Sequence, residues 1–557
     1  MCGITGMYHR ATGAAAEAAT LRTMNATQIH RGPDEQGVHC DGPVGLGHTR
    51  LSIIDRAGGQ QPMASVDREV WIAFNGEIYN FAEIRAELIG AGHSFRTNSD
   101  TEVILEAWRA WGEACVMRLR GMFAFAIWDA SRKQLFLARD RLGIKPLYYA
   151  ELPDHSVIFG SELKSLMRFP GLPRDLDHCA VEEYFTFGYV PDPRTIFATV
   201  RKLPPGCTLT VPAGRGPVQL NQYWDVPLGQ GELITDPKVA ARELRERLTD
   251  AVDIRLMSEV PLGAFLSGGV DSSAVVALMA GIMADPVKTC SIGFSEKAYN
   301  ETEYARQVAG RYETDHVEYI SDANDYELID TLADAYDEPF ADSSAIPTYR
   351  VCELAKRRVT VVLSGDGGDE VFAGYRRHRW HMKEETIRRV LPHGLRKLVF
   401  GPLGEVYPKL DWAPKVLRAK TTLQALAKHA LEAYLDTVSI ASERDRSQLF
   451  AGDFRAGLGG YRAVEVFRGL HRDAPDTDAL SLIQYLDMKT YLPGDILTKV
   501  DRASMAHALE VRVPMLDHRF IEWAMQVAPG LKLQGGEGKA ILKTAMSGHL
   551  SDDILYR

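Results

Sequence analysis

Cysteine is scarce and scattered in this chain. The seven thiols, at positions 2, 40, 115, 179, 207, 290 and 352, are odd in number and include no Cys-x-x-Cys pair, which speaks against a zinc site and against a disulfide framework. No run of about eighteen apolar residues occurs, so no membrane insertion is predicted. The first thirty residues lack the basic stretch and apolar core of a secretory leader. The cytoplasm is the expected compartment, since thiols stay reduced there. Positive charge is not in excess: 64 Lys and Arg against 74 Asp and Glu leave a net charge of −10. A generally basic nucleic-acid surface is therefore not expected, although local anion sites remain open. Internal repeats and low-complexity segments are also missing.

At 557 residues the chain exceeds what one core organises, so at least two domains are predicted. Short runs of aromatic and β-branched residues at 45–48, 70–74, 122–128, 135–138 and 157–160 predict antiparallel sheets, with helices over 80–91 and 101–111. A Pro/Gly-rich stretch from Leu203 to Pro217 then changes the pattern. It places one domain at 2–215, a linker at 216–235 and a second domain at 236–557. A helix over 239–257, an apolar strand over 260–266, a helix from Ser272 and a buried strand over 360–363 predict a parallel α/β sheet. From about Tyr375 the chain reads as largely helical.

Removal of the initiator methionine from Met1-Cys2-Gly3-Ile4 exposes Cys2 as the N-terminus. A terminal cysteine carries its own base, because its α-amine, with a reference pKa of roughly 8, takes the thiol proton directly or through a water. A Met-Cys start alone reads more readily as a small buried or incidental cysteine. Asn75-Gly76-Glu77 follows a hydrophobic strand and presents a side-chain amide and a backbone N–H together at the strand end. That suits an oxyanion hole, in which one donor is worth about 3 kcal/mol. The same dipeptide also fits a hairpin turn. Arg50 at a strand start and Asp100 just ahead of a helix can grip the carboxylate and ammonium of a free amino acid, or serve as a surface ion pair and a helix cap.

Five segments, Met1-Cys2-Gly3-Ile4, His30-Arg31-Gly32-Pro33-Asp34, Arg50-Leu51-Ser52-Ile53-Ile54, Phe74-Asn75-Gly76-Glu77-Ile78-Tyr79-Asn80 and Ser99-Asp100-Thr101-Glu102, resemble the class II (N-terminal nucleophile) glutamine amidotransferases in order and spacing. The resemblance implies an αββα glutaminase in which Cys2 attacks the side-chain amide of glutamine, giving a thioester, ammonia and then glutamate. It implies an oxyanion hole from Asn75 and Gly76. Glutamine would be held by Arg50, Leu51, Ser52, Ile53, Ile54, Asn75, Gly76, Glu77 and Asp100.

Phe265-Leu266-Ser267-Gly268-Gly269-Val270-Asp271-Ser272-Ser273 lies between a strand and a helix, where small residues let backbone N–H groups and hydroxyls close around phosphate oxygens. Asp271 can reach a magnesium ion bridging those oxygens. The string lacks the Gly-Lys-Ser/Thr ending of a Walker loop, which disfavours γ-phosphate transfer. A second small-residue loop, Ser364-Gly365-Asp366-Gly367-Gly368-Asp369-Glu370, follows the 360–363 strand and reads either as a partner of the first across the strand ends or as a solvated acidic turn. Segments 498–505 and 509–517 add charged groups. Lys539 reads as a counter-charge to phosphate or as a solvated helix end.

The first loop resembles that of the ATP pyrophosphatases. With the segments after it, it resembles the synthetase domain of glutamine-hydrolysing asparagine synthetases, and the two halves in this order resemble that family over essentially the whole chain. The implied reaction joins ATP and aspartate on Mg²⁺ into β-aspartyl-AMP, which ammonia attacks after passing through an internal channel. By this resemblance Leu266, Ser267, Gly268, Gly269, Asp271, Ser272, Ile292, Ser364 and Gly365 contact ATP. Asp271 and Asp369 bind magnesium, and Lys539 is catalytic. Asp366 stands where other members carry glutamate, and a catalytic role is expected for it, with a water bridging the missing methylene. Glu338 to Pro347 matches a family segment lining the second site. The chain stops at Arg557, where relatives continue, so a shortened synthetase half is expected. A homodimer is among the assemblies the family allows. The stretch from Tyr407 to Pro414 with 418–422 resembles an amidotransferase branch associated with exosortase and exopolysaccharide systems. Another carboxylate acceptor, or a glutaminase-fold regulatory protein without synthetase activity, therefore stands as an alternative.

Overall fold

Alternation of side chains builds two stacked antiparallel sheets in the first half of the chain. The computed structural model describes residues 1–294, 301–321, 325–408, 419–475 and 477–556. One sheet contains β1 (Cys2–Tyr8), β2 (Glu35–Asp41), β3 (Val44–Arg50), β8 (Tyr148–Glu151), β9 (Val157–Gly160) and β10 (Val200–Lys202), in the order β10-β8-β9-β1-β3-β2. The other contains β4 (Met63–Ala64), β5 (Val70–Ile78), β6 (Gly121–Asp129), β7 (Gln134–Arg139), β11 (Cys207–Pro212) and β12 (Gln219–Gln222), in the order β12-β11-β7-β6-β5-β4. Ile4, Leu46 and Phe159 meet Ala124, Ala126 and Leu137 between the sheets. The residues that alternate with these face outward, as the strand period of two requires. Met7 and Ile158 pack there on Leu21 and Met24 of α1 (Ala18–Ala26). Phe74, Phe125 and Phe136 pack on Ile84 and Leu88 of α2 (Phe81–Gly90) and Ile104 and Trp108 of α3 (Asp100–Trp111). The layering is the αββα sandwich expected. β12 hydrogen-bonds to β11 from within the stretch read as a linker, so the antiparallel sheet runs past residue 215.

The second half holds a five-stranded sheet among its described residues. β13 (Leu262–Phe265), β14 (Lys288–Phe294), β15 (Asp315–Ser321), β16 (Val361–Leu363) and β17 (Glu510–Arg512) lie in the order β15-β14-β13-β16-β17, all parallel. Helices cover its faces. α5 (Pro237–Asp253) is capped by Asp236, which accepts from the N–H groups of Lys238 and Val239, and α6 (Val270–Ile282) follows β13. Much of the rest is helical, as expected, including α7 (Thr498–Met505) and α8 (Ala540–Met546). Most of the stretch that suggested an exosortase-associated branch, residues 409–418, lies outside the described residues.

The halves share buried polar contacts. Before α5 in the chain lies α4 (His178–Phe187), whose Glu183 accepts from Tyr461 Oη at 2.5 Å and Arg194 Nε at 3.1 Å, while its second oxygen has no partner among the described residues. Burial pushes this carboxyl up to about 7, against the pull of Tyr461 and Arg194. Its folded-state proton affinity is raised, so its contribution to stability is complete below the ordinary value of 4.5 and is lost as pH rises through about 7. Glu183→Gln, neutral throughout, should therefore gain on the wild type between pH 5 and pH 8, by up to about 3 kcal/mol at the upper end. Thermal melts of both proteins across that range test this, and parallel curves would refute it.

Candidate active sites

The first site is assembled by strand register. β1 and β3 pair so that Cys2 lies opposite Arg50. The Cys2 N–H donates to Asn75 Oδ1 at 2.9 Å, and Arg31 Nε donates to the Cys2 carbonyl at 3.1 Å, so the backbone on both sides of the thiol is held. The Asn75 amide nitrogen is buried and has no partner among the described residues. Asn75-Gly76-Glu77 does not stand at a strand end, nor in a hairpin: β5 continues through it to Ile78, with Gly76 opposite Phe123 of β6. Continued pairing with β6 is what extends the strand. β4 pairs with β5 only at Trp71 and Ile72, which among the described residues leaves one edge of β5 free of strand pairing beyond that point. Alternate N–H groups of a strand point to the same edge. Phe74 N–H donates to Gln61 there at 2.7 Å and Ile78 N–H to Asp100 at 3.0 Å, so the Gly76 N–H between them points the same way. Gly76 has φ +153°, and a Cβ would lie 2.1 Å from the Met122 carbonyl, which restricts the position to glycine.

Met1 occupies this site in the unprocessed chain. It is 1% exposed, its amine meets Glu510 Oε2 at 2.9 Å, and its carbonyl accepts from the Leu51 N–H at 3.1 Å. The Cys2 nitrogen is then an amide, and the thiol lacks an amine of its own. Burial pushes the thiol pKa up, opposed by the Met1 amine, the Leu51 N–H and Arg50.

Arg50 stands at the end of β3, not at a strand start, because the ladder with β1 extends to it. Its guanidinium binds Glu35 at 3.1 Å and the carbonyls of Asp55 at 2.8 Å and Arg56 at 3.2 Å. Ser52 N–H donates to Asp34 at 2.8 Å. Leu51 and Ile53 pack with Val361 and Ala508 of the other half, with Ile54 beside them, so these side chains form part of the seam. Asp100 is the first residue of α3, and its cap is Ser99, which accepts from Thr101 N–H. Burial raises Asp100 to about 6 against the N–H groups of Ile78 and Thr101. Glu77 is pushed up by burial and by its neighbours Glu510 and Asp100, while Arg512 opposes this.

Arg31 has a larger part than its place in a motif suggests. Besides Cys2 it binds Glu162 at 2.9 Å and both oxygens of Asp501 on α7 at 2.8 and 3.1 Å, with its side chain fully buried. Breaking such a pair from one side typically costs about 3–5 kcal/mol. Its partner lies 470 residues away, and only the two quoted motifs, 30–34 and 498–505, hinted at it.

The second site gathers at the carboxyl ends of β13 and β16, neighbouring strands from which the two loops do face each other. Ser267 and Ser272 hydroxyls are 2.9 Å apart across the first loop. A Cβ on Gly365 would lie 2.6 Å from Ser272 N, and one on Gly368 2.6 Å from Asp271 Cγ, so the loops are in direct contact. A cavity of about 360 Å³ is lined by both loops, and by Ile292 from β14. Leu266, Ser267, Asp271, Ser272, Ile292, Ser364 and Gly365 all line it, whereas Gly268 and Gly269 do not. Gly268 instead turns the chain tightly against Ala305, at φ +76°.

Lys539 is no solvated helix end. From the start of α8 its Nζ reaches Asp271 at 2.5 Å and Asp369 at 2.8 Å. Burial opposes its charge, but the two carboxylates keep it protonated well above the ordinary range. Asp271 is raised by burial to about 6, against Lys539, and its Oδ1 has no partner among the described residues. Asp366 lines the same cavity, accepts from the Ser364 hydroxyl and is raised by burial. Lys499 also lines it, binding Asp342 at 2.5 Å and Ser344 at 2.8 Å, which ties the 338–347 segment to the cavity wall. Glu338 of that segment turns away to Lys202 and Ile196 of the first half, at 2.9 and 2.7 Å.

Comparison with known proteins agrees with this division. A family model described as Glutamine amidotransferase domain matches residues 1–224, and one described as Asparagine synthase matches residues 243–557. Asparagine synthetase (glutamine-hydrolyzing) 1 of Bacillus subtilis is 35% identical over 560 residues, covering 100% of this chain and 86% of its own. A putative asparagine synthetase (glutamine-hydrolyzing) of Mycobacterium bovis is 33% identical, with the same coverage of 100% and 86%. Among solved structures, glutamine phosphoribosylpyrophosphate amidotransferase from B. subtilis, complexed with ADP and GMP, aligns at 13% identity and TM-score 0.30, over 58% of this chain and 81% of its own.

Proposed function

Since the chain belongs to the glutamine-hydrolysing asparagine synthetase family, we propose that its two sites act in sequence to make asparagine from aspartate, ATP and glutamine. Once Met1 is removed, the Cys2 amine takes the proton from Sγ and the thiolate attacks the side-chain carbonyl of glutamine. The Asn75 amide and the Gly76 N–H receive the developing oxyanion. Collapse of the adduct returns the proton to the departing nitrogen and releases ammonia, and water then cleaves the thioester to glutamate. Glu77, Asp100 and Arg50 hold the amino and carboxyl groups of the substrate, with the backbone of the 51–54 loop beside them.

In the second site a β-carboxylate oxygen of aspartate attacks the α-phosphorus of ATP, and the bond to pyrophosphate breaks. Ser267, Ser272 and the loop backbones hold phosphate oxygens, and Lys539 neutralises charge on them. Asp271 and Asp369 suit a magnesium ion: two carboxylates converge there, one with an unpartnered oxygen, and Mg²⁺ takes few protein ligands when phosphates complete its shell. Bound there, the metal would offset phosphate charge. Ammonia then attacks the acyl carbon, AMP leaves, and Asp366, directly or through water, accepts the proton that the new amide sheds. Ammonia is mostly protonated at neutral pH and the acyl-adenylate is open to hydrolysis, so a water-poor passage protects both. The apolar cluster that joins Met1, Tyr79 and Met122 to Leu266 and Leu363 suits that passage.

The observation that carries this reading is shared construction. β16 leads into the second adenylation loop, and its neighbour β17 sends Glu510 and Arg512 to the rear of the Cys2 site. The test is product analysis of the methionine-processed protein with ATP, Mg²⁺ and aspartate, given either glutamine or ammonium. Asparagine, AMP and pyrophosphate are expected with both donors, together with glutamate when glutamine is supplied. Glutamate without pyrophosphate would overturn the synthetase half of the proposal.

A further inference from the structure

We propose that Arg512 is a positioning residue through which occupancy of one site alters the other, an inference that rests on the two-site reading above. Its main chain belongs to the second site, since the Arg512 carbonyl accepts from the Ser364 N–H at 2.9 Å, where the adenylation loop begins. Its side chain belongs to the first. The guanidinium is wholly buried and held at three points: Nε on Glu510 at 2.7 Å, and Nη1 on the carbonyls of Arg255 at 2.7 Å and Met257 at 2.6 Å. The remaining nitrogen, Nη2, has no hydrogen-bond partner among the described residues and stands 3.8 Å from Glu77 Oε1. Glu77 Oε2 is likewise unpartnered among the described residues.

A buried cation and anion that stop short of contact, each with a free hydrogen-bonding position, form an open joint. Such groups interact strongly where water is excluded, so a small displacement changes the energy substantially. When the ammonium group of glutamine binds Glu77, it competes with Arg512 for that carboxylate, and the guanidinium is left to Glu510 and the two carbonyls. β17 has three residues, and its last carbonyl holds Ser364, so strain at the side chain is passed to the loop that carries Asp366. Coupling of this kind is reciprocal: filling the second site must change glutamine affinity by the same factor.

The test uses the methionine-processed enzyme and α,β-methylene-ATP, which occupies the nucleotide site without being cleaved. Glutaminase kcat and KM are measured with and without the analogue plus aspartate, alongside ammonia-dependent pyrophosphate release with ATP. In the wild type the analogue should shift the KM for glutamine by about 5–150-fold. Arg512→Lys should bring that ratio close to one while both activities remain measurable. Should Arg512→Lys fail to fold, Glu510→Gln, which releases the Nε anchor, should reduce the ratio in the same direction. An unchanged ratio in either folded variant, no shift in the wild type, or parallel loss of both activities would overturn the proposal. A wild type that makes no asparagine from ammonium would strike the functional reading itself, and this proposal with it.

Discussion

Replacing Cys2 with alanine is expected to abolish glutamine-dependent asparagine formation and to leave ammonia-dependent formation at the wild-type rate. Loss of a covalent nucleophile commonly lowers the rate by about 10⁴-fold or more. The fold should be retained, because the contacts that fix residue 2 come from its backbone: the N–H on Asn75 and the carbonyl under Arg31. Glutamate release and asparagine formation with each nitrogen donor, measured side by side, decide the matter. Should both donors fail in the variant, Cys2 holds the structure together and is not the nucleophile.

Lys539→Met should have the opposite signature. Pyrophosphate release should fall by about 10²–10³-fold with either donor, the range associated with removing one preorganised group that stabilises transition-state charge. Glutaminase activity without ATP should persist. The variant also leaves Asp271 and Asp369 facing each other without the ammonium that now lies between them. Breaking such a pair is costly, so persistence of the glutaminase, which lies in the other half, serves as the internal control for folding. Undiminished pyrophosphate release would place Lys539 outside the chemistry.

The motifs of these two candidate sites were legible because each is local in the chain. Ser-Gly-Gly-Val-Asp-Ser-Ser and Ser-Gly-Asp-Gly-Gly-Asp-Glu each announce a loop after a strand, and the structure brings them into contact through Gly365 and Gly368. The strands β14, β15 and β17 were not legible. β15 mixes charged and apolar residues and β17 has only three, so neither offers a run that propensity could detect. At Asn75-Gly76 the turn propensity of the dipeptide pointed one way and pairing with β6 decided another, an instance of tertiary context overriding a local preference. Arg31, Glu510 and Arg512 escaped for a different reason. Their roles consist of partners hundreds of residues away, Asp501, Met1 and Glu77, and no local spacing encodes such a meeting.

The seat of Met1 also sets an order of events during synthesis. Its amine is paired with Glu510, 509 residues farther along, and the residue is closed off from solvent when that strand is in place. A ribosome adding about 5–20 residues per second takes roughly 25–100 seconds to reach that glutamate. For that interval the Met1 amine lacks its carboxylate partner, and afterwards the finished fold closes over it. On the reading proposed above, removal of Met1 precedes that closure. Protein produced faster than it is trimmed should accumulate as a folded, methionine-bearing fraction, separable by intact mass, with its glutamine site sealed.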